Sequence, residues 1–312
     1  MLCVFVERYK EIANYDSRAK YKAMIYIVTP VFNRKAYTRN YLLALLYQTV
    51  KDFKVIIVDD GSTDGTSEMI EKQFPDVILL KEQGDLWWSA ATNVGVRYAI
   101  NHGAEYVVTL NDDTLPATDF VEKMRAWSIK KPNALLGAFA IDEKTNEAIY
   151  GGAILNWKTG KFDSILNNGL VVEQSGLHRV NIFPGRGLLI PVETFNKIGL
   201  YDSKNFPQTI ADLDFTARAD KAGYEIFCNY DAKIKIYPEE SGGVALRKNK
   251  SWKNYYQHLF GIRGGGNLKW FTIFAFKNAP KKYRIQFWLK GSASRIGGYL
   301  LEWVKEAMCD RK

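Results

Sequence analysis

Val55-Ile56-Ile57-Val58-Asp59-Asp60-Gly61-Ser62-Thr63-Asp64-Gly65 decides the fold. The β-branched run at its start reads as a strand buried on both faces, the kind that parallel sheets contain. The acidic, glycine-flanked turn behind it opens into helical spacing over 66–74. A buried strand, a polar turn and a helix make one βα unit. Working outward, the same alternation repeats. Strands are predicted over 24–29, 77–80 and 106–110, with helices over 37–48 and 90–102. The expectation is an α/β fold with a Rossmann-like, mainly parallel central sheet and flanking helices.

In such sheets ligands bind beyond the carboxyl ends of the strands. Three polar turns fall there: 30–34, 59–65 and 111–114. From 135 to 183 the apolar runs are short and broken by Gly151-Gly152, Gly160, Asn167-Asn168-Gly169 and Gly176, which predicts antiparallel strands and loops. Helices are expected over 192–197 and 210–222, strands over 225–230 and 233–237, and helices again from 251 onward.

Each acidic turn has a structural and a chemical reading. Asp59 and Asp60 can accept from a base N–H or a ribose hydroxyl, while Ser62, Thr63 or Asp64 can cap the following helix. Asp60, Ser62, Asp64, Gly65 and Glu71 also match EF-hand spacing, but that loop needs a helix in front and here a strand precedes it. Asn111-Asp112-Asp113 pairs adjacent carboxylates, which repel unless a cation or hydrogen bonds compensate. Mg²⁺ or Mn²⁺ held by such a carboxylate and substrate phosphates is one solution. A turn before a helix, with Pro116 at its first position, is the other. Asp212 and Asp214 can open a helix or serve as a general base. Their i, i+2 spacing puts them on different helix faces.

The whole chain bounds these readings. It has 312 residues, 47% hydrophobic, 25% charged and 14% aromatic, which is globular and not disordered. The net charge of +9 favours anionic partners. Cys3, Cys228 and Cys309 form neither a disulfide framework nor a zinc spacing. Charged residues in the first 20 positions argue against a secretory signal, and no run approaches the roughly 20 apolar residues of a membrane span. A cytoplasmic protein is expected, peripheral on the inner face of the membrane if it touches one.

Taken in order, these segments resemble the family 2 glycosyltransferases. The match rests on Pro30-Val31-Phe32-Asn33-Arg34, Gln48-Thr49, the 59–65 turn, Gly84 through Asn93 with Gly95, and Asn111-Asp112-Asp113. In the second half it rests on Gly185-Arg186-Gly187, Ile198-Gly199-Leu200-Tyr201-Asp202 and Asp212-Leu213-Asp214 with Arg218 and Gly223. The resemblance implies the GT-A fold and an inverting, metal-dependent transfer of sugar from a nucleotide-diphosphate donor, UDP- or dTDP-linked. The acceptor would be a glycan or lipid-linked chain in cell-surface polysaccharide synthesis. It assigns Pro30, Phe32, Asn33, Arg34, Asp59, Asp60, Asn93 and Asp112 to the nucleotide sugar, Asp113 with Asp112 to the metal, and Asp212 to the base. Trp87, Trp88, Arg186 and Asp214 fall to the acceptor side. The Trp pair can stack on a sugar or form a wedge under the helix; Arg186 can meet a phosphate or an ion pair. Two departures stand out: Ala211 replaces the usual Glu before the base, and 237–243 lacks the usual His ligand, leaving Glu239 as a candidate.

The expected organisation is a lead-in over 1–22, a catalytic domain over 23–245, divided near 115 into nucleotide and acceptor halves, and a basic, aromatic-rich helical extension over 246–312. Interleaved Lys, Arg and aromatic residues in that extension suit an anionic bilayer, or a subdomain packed on the sheet with its charges solvated. They could suit RNA, but no nucleic-acid motif accompanies them, so no nucleic-acid partner is expected. The rival functions are a nucleotidyltransferase, disfavoured because 30–34 lacks glycine, and a non-catalytic sugar-nucleotide-binding protein.

Overall fold

The computed structural model describes residues 23–166, 175–237, 246–247 and 250–309. The 1–22 lead-in, the 167–169 turn and Glu239 lie outside the described residues. The first half alternates as expected: β1 (Ile25–Val31), α1 (Lys35–Leu46), β2 (Phe53–Asp59), α2 (Thr66–Gln73), β3 (Ile78–Lys81), α3 (Trp87–Asn101) and β4 (Tyr106–Thr109). Then come β5 (Thr114–Pro116), α4 (Phe120–Lys130), β6 (Leu135–Asp142), β7 (Ala148–Tyr150), β8 (Ala153–Asn156), β9 (Lys161–Ser164), β10 (Leu177–Val180), β11 (Leu188–Pro191), α5 (Val192–Ile198), α6 (Ala211–Lys221) and β12 (Ile226–Ile236). The chain ends in α7 (Trp252–Phe260), α8 (Leu268–Asn278) and α9 (Arg284–Cys309).

The central sheet runs β10-β12-β6-β11-β4-β1-β2-β3, with β5 on β12 and β7 on β6. Its longest ladders, β1 on β2 and β12 on β6, are parallel. β11 enters antiparallel between β4 and β6, joining the two halves. Strand alternation sends Tyr26, Val28, Ile56 and Val58 to one face, packed with α3, α6 and α8 residues. Ile25, Ile27 and Ile57 face the other side, against α1, α2 and α4. Two apolar faces sandwiched by helices make a three-layer domain.

Two local expectations change. The strands predicted over 225–230 and 233–237 are one strand, β12, whose register on β6 shifts between Asn229 and Lys233. A bulge lets the strand resume pairing after an extra stretch, where sequence shows only a polar interruption. Pro116 does not open a helix. It ends β5, paired with Ile234 of β12, and α4 begins later, at Phe120.

The C-terminal helices share the main core. Phe271, Phe274 and Phe287 are 1% exposed or less and cluster with sheet residues. Trp157, beside the β8–β9 hairpin, packs on Phe274 and Phe287 at ring-centroid distances of 5.7 and 5.0 Å. Among the described residues no helix is long and apolar enough to cross a membrane.

Candidate functional site

A cavity of about 430 Å³ opens at the carboxyl ends of β1, β2 and β4. Pro30, Val31, Phe32 and Arg34 line it from the first turn, Asp60 from the second, and Asn111, Asp112 and Asp113 from the third. Gly84, Trp87, Trp88 and Ala91 come from the entry to α3, Arg186 from the approach to β11, and Gln208 and Thr209 from the approach to α6. Arg263 and Gly265 reach it from the turn between α7 and α8.

The acid pair is anchored by α1. Arg34 Nε lies 3.0 Å from an Asp112 carboxylate oxygen, and Thr38 Oγ1 donates to Asp112 Oδ2 at 3.1 Å. Arg34 also lies 3.9 Å from Asp113. Burial pushes the Asp112 carboxyl up to about 7, against the pull of Arg34 and with a further push from the Asp113 charge. Asp113 Oδ1 is buried and has no hydrogen-bond partner among the described residues. An orphaned hard oxygen beside a second carboxylate fits a divalent cation that completes its shell with phosphate oxygens and water. Among the described residues no cluster of three or more acidic, His or Cys side chains forms a complete cage.

Asp60 lines the cavity, but its carboxylate organises the next loop. It accepts from the backbone N–H of Gly84 at 3.2 Å, Leu86 at 3.1 Å and Trp87 at 3.1 Å. Those bonds hold Trp87 at φ 59°, in the left-handed region. Asn33 at φ 52° and Ile210 at φ 70° share that strain, each next to a cavity-lining residue. For a β-branched residue such as Ile210 this is a genuine outlier. Such conformations cost about 1–3 kcal/mol each and concentrate at functional sites.

Several expected residues support the wall without facing the cavity. Asp59 Oδ1 accepts from Ser62 N at 2.9 Å and Oδ2 from the Ser67 hydroxyl, so it closes its own turn. Asn33 Oδ1 accepts from Thr63 N at 2.7 Å, tying the first turn to the second. Asp64 holds the start of α2 by accepting from Thr66 N at 3.1 Å, as the capping reading expected. Asn93 is 4% exposed and clamps the backbone of Tyr201, donating to its carbonyl at 2.8 Å and accepting from its N–H at 3.1 Å. Its amide is thereby consumed away from the cavity.

Asp212 and Asp214 separate as their spacing required. Asp212, partly exposed, accepts from Gly185 N at 3.1 Å and Leu213 N at 2.9 Å, directly behind Arg186. Burial raises its carboxyl above the ordinary range, while those backbone bonds and the Arg186 charge pull it back. Asp214 is fully buried on the opposite side, bound to Arg218 at 2.8 Å, Lys277 at 3.0 Å and Asn278 at 2.9 Å. It is not brought to the cavity, because the helix turn directs it toward α8.

The Trp pair also divides. Trp88 is a wedge: its indole N–H donates to Asn111 Oδ1 at 2.9 Å, its backbone N–H to Gln208 Oε1 at 3.1 Å, and its ring meets Tyr201 edge-on at 5.2 Å. A Cβ on Gly185 would fall 2.6 Å from that ring, so only glycine admits it. Trp87 stays 38% exposed.

The earlier reading did not assign Asn111, Gln208, Thr209 or Arg263 to the site. Asn111 had a signal, since it belongs to the acidic turn. Thr209 Oγ1 is buried without a partner among the described residues, a feature that exists only in three dimensions.

Known proteins agree with this architecture. A relative described as an uncharacterized glycosyltransferase from Rickettsia bellii is 31% identical over 261 residues, covering 80% of this chain and 35% of its own length. Streptococcus pneumoniae glycosyltransferase GlyA is 34% identical over 103 residues, 32% of this chain and 14% of its own. The chain thus spans about a third or less of these relatives' lengths. S. pneumoniae glycosyltransferase GlyG is 27% identical over 249 residues, covering 76% of this chain and 78% of its own length. Among solved structures, S. aureus TarS 1–349 superposes with a TM-score of 0.53 at 14% identity, covering 89% of this chain and 92% of that one. The same fragment in complex with UDP gives a TM-score of 0.52 at 15% identity. Residues 26–176 match the sequence model of the family described as Glycosyl transferase family 2. With the sheet order, the acidic turns and these relatives in agreement, the chain carries a family 2 glycosyltransferase domain of the GT-A fold.

Proposed function

We propose that this protein transfers a sugar from a nucleotide-diphosphate donor to a glycan or lipid-linked acceptor, with inversion, in the synthesis of a cell-surface polysaccharide. The observation that carries the reading is the convergence of Phe32, Arg34, Asp60, Asp112, Asp113 and Arg186 on one cavity at the strand ends. The UDP complex of TarS supports a uridine donor.

Pro30 and Phe32 would flank the base and Arg34 would orient the acid pair. Asp113 and Asp112 would hold Mg²⁺ or Mn²⁺, which supplies positive charge to the departing diphosphate. Asp212 would take the proton from the acceptor hydroxyl as its oxygen attacks the anomeric carbon and the bond to the diphosphate breaks. A carboxyl raised by burial is better matched to that task than an exposed one. The exposed face of Trp87 suits a sugar ring. The reading is tested by screening UDP- and dTDP-sugars for Mn²⁺-dependent thermal stabilisation, then measuring nucleotide release. Absence of both from every donor would end it.

Contact with an anionic membrane surface is part of the same proposal. Trp252, Tyr256 and Phe260 form one stripe along α7, 70%, 60% and 54% exposed, beside the exposed Lys253.

A further inference from the structure

Arg263 lies in the turn between α7 and α8, far in sequence from the family match at 26–176, and lines the cavity. Its guanidinium carbon is 5.9 Å from the Trp87 ring centroid. The side chain is exposed, and no carboxylate pairs with it among the described residues. Arg34, by contrast, is answered by Asp112 and Asp113.

The turn that carries Arg263 is built to hold still. Gly264 N donates to the Gly261 carbonyl at 3.0 Å, and Asn267 N donates to the Gly264 carbonyl at 3.1 Å. The Asn267 side chain, 3% exposed, donates to the Gly261 carbonyl at 3.1 Å and caps α8 by accepting from Trp270 N at 3.0 Å. The backbone presses onto α7: a Cβ on Gly264 would fall 2.4 Å from the Gln257 and His258 carbonyl oxygens, and one on Gly266 2.2 Å from His258 Nε2. A merely solvated arginine needs no such mounting. A fork-shaped cation aimed past an aromatic face into a cavity matches phosphate geometry.

We propose that Arg263 is a substrate-binding residue that takes a phosphate-class anion at the cavity mouth, which makes the C-terminal helices part of the site. This rests on the transferase reading and extends it beyond the matched domain. The anion belongs either to the donor diphosphate or to the acceptor.

The test uses the full chain, R263A, R263K and, as a control, K269A, an exposed lysine of the same region outside the cavity lining. UDP and uridine are titrated calorimetrically with Mn²⁺, and inorganic phosphate is titrated into the UDP-saturated protein. A donor anion predicts that R263A weakens UDP about tenfold or more, with uridine unchanged and R263K intermediate. An acceptor anion predicts unchanged UDP affinity and loss of the phosphate binding that the parent shows. Equal binding of UDP and of phosphate by parent and R263A overturns the proposal while leaving the transferase reading intact. A parent chain that binds neither UDP nor dTDP overturns that reading, and this proposal with it.

Discussion

Replacing Asp214 with Ala should destabilise the protein and leave nucleotide binding alone. Its carboxylate is 0% exposed and bridges α6 to α8 through Arg218, Lys277 and Asn278. Removing one member of a buried ion pair costs about 3–5 kcal/mol, because the remaining charges lose their counterion. Two features place this case near the lower end, at about 3 kcal/mol. Arg218 keeps the Ile198 and Leu200 carbonyls at 2.6 and 2.9 Å, and Lys277 keeps Asp202 at 2.6 Å. Urea denaturation should therefore show a lower midpoint at unchanged slope. A D214A/K277M double mutant should lose less than the sum of the single changes, since the two groups interact directly. UDP affinity measured with Mn²⁺ should match the parent. A loss of less than about 1 kcal/mol, below the range for a buried pair, would refute the bridging argument. Weakened ligand binding at full stability would restore Asp214 to the acceptor side, where its motif alone would put it.

Asp212→Asn should lower turnover by roughly 10²–10⁴-fold while UDP affinity stays within twofold; because burial raises this carboxyl and the base works ionised, the acid limb of the parent's pH–rate profile should fall above the ordinary carboxylate value of 3.8. Asp112, raised to about 7 in the folded protein, keeps a proton that the unfolded chain has already lost. Stability of the metal-free protein should therefore fall as pH rises from about 4 to 7, and Asp112→Asn should flatten that stretch of a denaturation series. The triple change W252S/Y256S/F260S should abolish co-sedimentation with phosphatidylglycerol vesicles without shifting the melting temperature, since all three rings are exposed; equal binding by parent and variant would remove α7 from any membrane contact.

How far the sequence reaches differs by scale. The alternation of β1, α1, β2, α2, β3, α3 and β4 was legible because each element shows its own period, and the turns at their ends followed from it. That put Pro30, Phe32, Arg34, Asp60, Asp112 and Asp113 in one region, and the structure brings them to one cavity. The same reasoning assigned Asn93, Asp59 and Asp214 to ligand contact, yet each is engaged with its own protein's backbone or charges. Motif position gives the neighbourhood of a residue but not the direction of its side chain. Within the Trp pair, consecutive positions on α3 diverge, leaving Trp88 wedged against Gly185 and Trp87 open.

Local sequence determined the βα order, the strand-end acidic turns and the separation of Asp212 from Asp214, because these depend on hydrophobic period and on neighbours a few residues apart. The tertiary structure alone decided that β12 is continuous across a bulge, that Asp214 faces α8, and that Arg263 reaches a cavity whose acids lie some 150 residues earlier. Those outcomes depend on which distant surfaces come together, and packing between such surfaces leaves no periodic trace along the chain.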